Sequence, residues 1–177
     1  MFEQAVKVPF LARCPGLIRQ PGRVVSELVS AVDLFPTFCE LIGTEKPENL
    51  PGTSFLPLFA GGPSRRSEVV VFDEYGPVRM IRSGRWKYVH RYPDGPHELY
   101  DLTSDPGETQ NLYGEAEHES TVLALRVQLE DYFTKNANDI FDARSEGVTG
   151  SGQFCRPGRL ANRVKVYGER PKTRKEL

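Results

Sequence analysis

The chain reads as an α+β fold, a four-stranded antiparallel sheet packed by one long helix with irregular segments on either side. Three observations predict it. Apolar and polar residues alternate from Glu68 to Leu102, the spacing of half-buried strands. From Ser120 to Asn138 the apolar positions recur every third or fourth residue, the spacing of a helix lying on a core. Before Glu68, Pro and Gly recur too often for long regular elements. The predicted division is 1–62, 63–138 and 139–177, the last an irregular basic tail.

Composition narrows the functional classes. With 38% hydrophobic residues, ten Phe, seven Tyr and one Trp, the 177 residues supply one core, and global disorder is not expected. No apolar run approaches the roughly 18 residues of a membrane span. The net charge of −1, from 23 basic and 24 acidic residues, gives no pull toward nucleic acid or an anionic membrane. The first residues, "MFEQAVKVPF", carry no export signal. Cys14, Cys39 and Cys155 lack the close pairing of a zinc site or a disulfide framework and read as free thiols.

Taken in order, "KVPFLARCPG" reads as a short strand stopped by Pro15 and Gly16, and "LIRQPGRVV" ends at a second stop, Pro21 and Gly22. A helix fits Val32 to Ile42. Asp33 serves as a cap or first-turn acid, Leu34, Phe38, Leu41 and Ile42 form its apolar stripe, and Gly43 ends it. "TEKPENLPGTSFLPLFAGG" is expected to be a packed loop anchored by Phe55, Leu56, Leu58 and Phe59. "EVVVFDEYG" and "VRMIR" follow as strands, with Ser83-Gly84 as a two-residue hairpin turn into "RWKYVHRY" and "PDGP" leading into "HELYDL". Along the third strand Trp86, Tyr88 and His90 point one way and Lys87, Val89 and Arg91 the other, so one face is expected to be free for packing.

After that sheet, Asp105, Pro106 and Gly107 favour a tight turn, Asn111 is placed to hydrogen-bond exposed backbone groups, and Leu112 to fold back on the core. Val122, Leu125, Leu129, Tyr132 and Phe133 form the inward stripe of the covering helix. Arg79, Arg82 and Arg85 are candidates for an anionic ligand, although alternation along a strand explains them as well. His90, His97 and His118 sit on strand, turn and helix start without a close acidic partner or metal-ligand spacing, and read as surface or core histidines. The last 22 residues hold eight Lys or Arg against two Glu, a pattern read as a solvated or packed strip rather than a nucleic-acid arm.

"RMIRSGRWKYVHRYPDGPHELYDLTSDPGETQNL" resembles the C-terminal signature of the sulfatases, in which R-x-G-x-x-K-Y precedes E-L-Y-D-L and then D-P-x-E-x-x-N-L. Earlier pieces resemble the same family in the same order. They are "MFEQAVKVP", "PGLI", "VSAVDLFPT" and "LPGTSFLPLFAG", and "DARSEGVTGSGQ" is similar to tails of bacterial members. The resemblance implies that residues 1–62 are an incomplete piece of a large α/β catalytic domain. The rest would be its smaller C-terminal subdomain.

Further expectations follow from that resemblance. Intact members hydrolyse sulfate esters with a formylglycine made in C-x-[PA]-S-R beside a calcium held by Asp residues, so calcium and formylglycine are implied for the intact enzyme. No such motif occurs here, and "CPGLIR" lacks its Ser and Arg. The chain is therefore expected to be a C-terminal sulfatase fragment, inactive alone, with no catalytic residue or metal ligand of its own. Its counterpart would be a separate N-terminal half, and the substrate a sulfated small molecule or glycan. Asp73, Glu74 and Tyr75 lie where similar positions of the family can approach the pocket rim, although a solvated strand end explains them as well, and Arg79 is the fourth rim candidate. Residues 1–30 are expected to be poorly covered. A phosphonate or phosphate ester hydrolase fragment and a standalone binding or assembly module remain alternative readings.

Overall fold

The structure, a computed structural model, describes residues 1–18, 20–48, 50–73 and 77–137. The expected basic tail, with Cys155, lies outside them. Its helices are α1 (Glu3–Val6), α2 (Leu34–Ile42), α3 (Leu56–Phe59) and α4 (Glu119–Asn136). The strands β1 (Glu68–Phe72), β2 (Val78–Ser83), β3 (Trp86–Arg91) and β4 (Glu98–Asp101) form one antiparallel meander in the order β1-β2-β3-β4.

Register decides which side chains meet. Val70 pairs with Ile81, Ile81 with Tyr88 and Tyr88 with Leu99, so four apolar residues stand in one row across the sheet. Leu125 and Leu129 of α4 close over that row, with Val122, Tyr132 and Phe133 at its margins, as the helical stripe predicts. The opposite face is covered as well. Met80, Lys87 and Val89 on that side are completely buried and Tyr100 nearly so. The turn carrying Glu108 and the start of α1 meet Lys87 there.

The first hairpin turns one residue later than Ser83-Gly84. Strand β2 runs on through Ser83, leaving Gly84-Arg85 between the strands, and Arg82 pairs with Lys87. Ser83 closes the turn because its Oγ accepts the Trp86 N–H at 3.0 Å. A slip by one residue would exchange the two faces of β3 and expose Lys87 on the wrong side.

Helix α2 forms where expected, preceded by a 3-10 turn at Ala31–Asp33, but its buried side is different. Pro36, Thr37 and Cys39 are buried, whereas Phe38 is 58% exposed and Ile42 75%. Polar anchoring overrides the apolar stripe. The buried Asp33 carboxylate accepts the Ser30 N–H at 2.8 Å and the Thr53 N–H at 2.8 Å, and it pairs with Arg66. Thr37 donates to the Asp33 carbonyl and accepts the Phe55 N–H at 3.0 Å. These bonds turn α2 toward the 50–59 loop, in which Phe55 and Leu58 are buried.

Gly52 makes that approach possible. Its φ is +104°, and an added Cβ would lie 2.9 Å from the Val32 carbonyl carbon and 3.2 Å from Pro36 Cγ. Gly52→Ala should therefore cost about 1–3 kcal/mol through overpacking and backbone strain, read as a lowered denaturation midpoint.

"VPFLA" is not a strand. Residues 7–14 have no regular structure, because no strand among the described residues lies beside them to complete backbone pairing. No described side chain in 1–30 is buried, and Leu11 is 95% exposed.

Candidate functional site

The signature residues converge on the end of the sheet beside β4. Asp105 opens the turn after β4 and its carboxylate accepts the N–H groups of Thr109 at 2.7 Å and Gln110 at 2.9 Å, which holds it below the usual carboxylate range. Asn111 then replaces a missing strand. Its Oδ1 accepts the Leu99 N–H at 2.9 Å and the Tyr113 N–H at 3.0 Å, its Nδ2 donates to the His97 carbonyl, and the Leu112 N–H bonds the Leu99 carbonyl. The free edge of β4 is thereby covered. Asn111→Ala should leave the Leu99 and Tyr113 donors without this acceptor and cost about 1–3 kcal/mol by chemical denaturation.

Charge is paired along the same strip. Arg85 holds Asp101 through Nε and Nη2, at 3.0 and 2.8 Å from one carboxylate oxygen, and brings the Asp101 pKa down to about 2. Its guanidinium also lies over the Trp86 ring. Lys87, with no exposed side-chain surface, has Nζ 2.6 Å from Glu108 Oε1 and 3.3 Å from Glu3 Oε1. Arg82 Nε is 3.4 Å from the Glu3 carboxylate, and the Glu3 N–H donates to Glu108 Oε2 at 2.6 Å. Arg82 and Arg85 thus have carboxylate partners within the chain.

Of the residues matched to a pocket rim, Asp73 is half-buried at the end of β1. Its N–H bonds the Val78 carbonyl and its Oδ1 accepts the Val78 N–H at 3.3 Å. Glu74 and Tyr75 lie outside the described residues. Arg79 is only 2% exposed, and its guanidinium sits 3.7 Å from the Phe133 ring centroid and 5.1 Å from that of Tyr92. It lies on the α4 side of the sheet, in register with His90.

The histidines are less scattered than the sequence suggests. His90 and His97 stack at 4.3 Å with their planes 13° apart, brought together by the β3–β4 connection. Tyr88 Oη meets His90 Nδ1 at 2.8 Å, and the Arg91 N–H donates to His97 Nδ1 at 3.2 Å. Burial, with help from His97, lowers the His90 pKa to about 4. His118, read as lacking an acidic partner, lies 3.3 Å from Glu117 and 3.8 Å from Glu115 because the 3-10 turn at Ala116–His118 folds them together.

The donor chemistry does not fit a sulfatase centre. The Glu115, Glu117 and His118 group is the one gathering of potential metal ligands among the described residues, and it offers exposed glutamates and an imidazole rather than an oxygen cage for calcium. Cys14 and Cys39 are free thiols, followed by "PGLI" and "ELIG", neither of them a formylglycine context. Among the described residues no helix is long and apolar enough to cross a membrane.

A family model described as N-sulphoglucosamine sulphohydrolase, C-terminal, matches residues 1–135. The chain belongs to this sulfatase family. It is 32% identical over 148 residues to the Delta 4,5-hexuronate-2-O-sulfatase of Bacteroides thetaiotaomicron, covering 78% of this chain and 31% of that protein. The solved structure of a 2-O GAG sulfatase aligns at TM-score 0.54 and 32% identity, over 82% of this chain and 32% of that one. A phosphonate monoester hydrolase from Silicibacter pomeroyi aligns at TM-score 0.58 and 25% identity, over 70% and 28%. The sheet and α4 are thus the C-terminal architecture of the sulfatase family, within the alkaline phosphatase superfamily. The chain spans about a third of the length of these relatives.

Proposed function

We propose that this chain is the C-terminal part of a sulfuric ester hydrolase, without turnover of its own, and that it completes a catalytic α/β portion carrying the formylglycine and calcium. The observation carrying this reading is the run of exposed apolar side chains on residues 1–62, beside a sheet whose central row is closed over by α4. Val8, Phe10, Leu11, Phe35, Phe38 and Ile42 all stand exposed there. Exposed apolar side chains gathered in one segment support a surface that a further portion of the enzyme covers. In this reading residues 63–138 are the subdomain, and Asp73, Glu74, Tyr75 and Arg79 belong to the substrate rim. The substrate is a sulfated sugar, a class supported by the 2-O-sulfatase relatives.

The test is complementation. The chain is co-expressed with the catalytic portion of the hexuronate-2-O-sulfatase lacking its own C-terminal third, and release of sulfate from a 2-O-sulfated unsaturated uronate is followed. Turnover by the pair and none by either part supports the reading. Failure to co-purify, with sulfated-sugar binding by a monomeric chain, would sink it in favour of a binding module. The phosphonate hydrolase likeness gives the other arm, since a pair that cleaves a phosphonate monoester but no sulfate ester would change the reaction class.

A further inference from the structure

Among the described residues, every ion pair and side-chain hydrogen bond joining residues 1–27 to the sheet or to the turn after β4 runs through Glu3. Phe10 leans on Phe55 and Arg23 reaches the Leu58 carbonyl, but both belong to the α3 loop. Helix α1 itself buries nothing. Among the described residues the segment is thus tied to the sheet by one carboxylate and one backbone N–H of the same residue.

The partners of Glu3 are costly to build. Lys87 and Glu108 have fully buried side chains, and a buried ion pair is a weak stabiliser compared with apolar residues of similar size. Position 87 has Met80, Val89 and Tyr100 around it on that face, where an apolar side chain would pack well. Glu108 also takes φ +55°, the one positive φ outside glycine among the described residues, at a cost of about 1 kcal/mol or more. Its carboxylate touches Lys87 at 2.6 Å through Oε1 without hydrogen-bond alignment, while Oε2 takes the Glu3 N–H. The formal charges of Arg82, Lys87 and Glu108 balance only when Glu3 is present.

We propose that Arg82, Lys87 and Glu108 form a socket for a single glutamyl residue, read by both its side chain and its backbone N–H, and that the socket seats the segment entering the subdomain. Aspartate is one methylene short of Lys87 once its N–H is fixed on Glu108. Glutamine keeps the length but loses the charge that Lys87 and Arg82 require. The socket stands on the geometry of this chain alone, so its failure would leave the sulfatase reading untouched.

The test uses the full chain and trypsin cleavage after the exposed Lys7, since a seated segment resists the extended conformation that a protease needs. Glu3→Gln and Glu3→Asp should each raise the cleavage rate at least tenfold, while the denaturation midpoint of the sheet stays within about a tenth of wild type because Lys87 and Glu108 still pair. Wild-type cleavage in either variant would overturn the socket. So would a midpoint that falls in step with the cleavage rate, because Glu3 would then be part of the general stability of the sheet.

Discussion

Replacing Lys87 with Met should cost about 3–5 kcal/mol, a large part of the 5–15 kcal/mol of a typical domain. The loss comes from what remains behind. Glu108 would keep a fully buried carboxylate with no cation against it, and Glu3 would lose its nearer ammonium. Urea denaturation followed by Trp86 fluorescence reads the effect, and Lys87→Met combined with Glu108→Gln should recover much of it by removing the orphaned charge. A loss below about 1 kcal/mol for the single variant would mean that water or another cation reaches Glu108, and the buried pair would lose its significance.

Acid should loosen the contact between the sheet and α4 in a defined window. His90 titrates near 4 in the folded chain against 6.5 for a free imidazole, so the unfolded state takes up its proton first. The stability contributed by neutral His90 is therefore complete above about pH 6.5, falls as the pH drops toward 4, and levels off below it. A shift of that size corresponds to roughly 3 kcal/mol at about 1.4 kcal/mol per unit. His97 is lowered in the same direction by burial and by Arg126 and Arg91, and protonating its Nδ1 would set it against the Arg91 N–H. Arg79 and Arg126 disfavour the charged His90, and Glu130 favours it. Denaturation midpoints from pH 7 to 4 should thus decline. His90→Phe should flatten most of that decline while costing about 1 kcal/mol at pH 7, when Tyr88 loses its partner. An unchanged slope in the variant would place the titration elsewhere.

Much of the subdomain was legible because short-range rules act on it. Alternation from Glu68 to Leu102 describes four strands and the stripe from Val122 to Phe133 one helix, and these elements formed as read apart from the one-residue shift of the first hairpin turn. The turn at Asp105 and the edge cover at Asn111 follow from side chains that bond their own neighbourhood. The reading failed where a rule needed a neighbour. The α2 stripe faces outward because Asp33 and Thr37 bind the 50–55 loop, and "VPFLA" has no strand to pair with.

The candidate site divides in the same way. The K-Y and D-P-x-E elements were visible as a pattern, but nothing local says that Lys87, Glu108 and Glu3, far apart in sequence, share one buried point. His90 and His97 were likewise counted separately until the β3–β4 connection stacked them. The sequence by itself determined the four sheet strands, α2 and α4, their order and the sulfatase family, since backbone preference and hydrophobic period are properties of neighbours along the chain. Only the tertiary structure decided which charges are buried together and which apolar face is left bare. Burial and ion pairing depend on distances through space, which spacing along the chain does not carry.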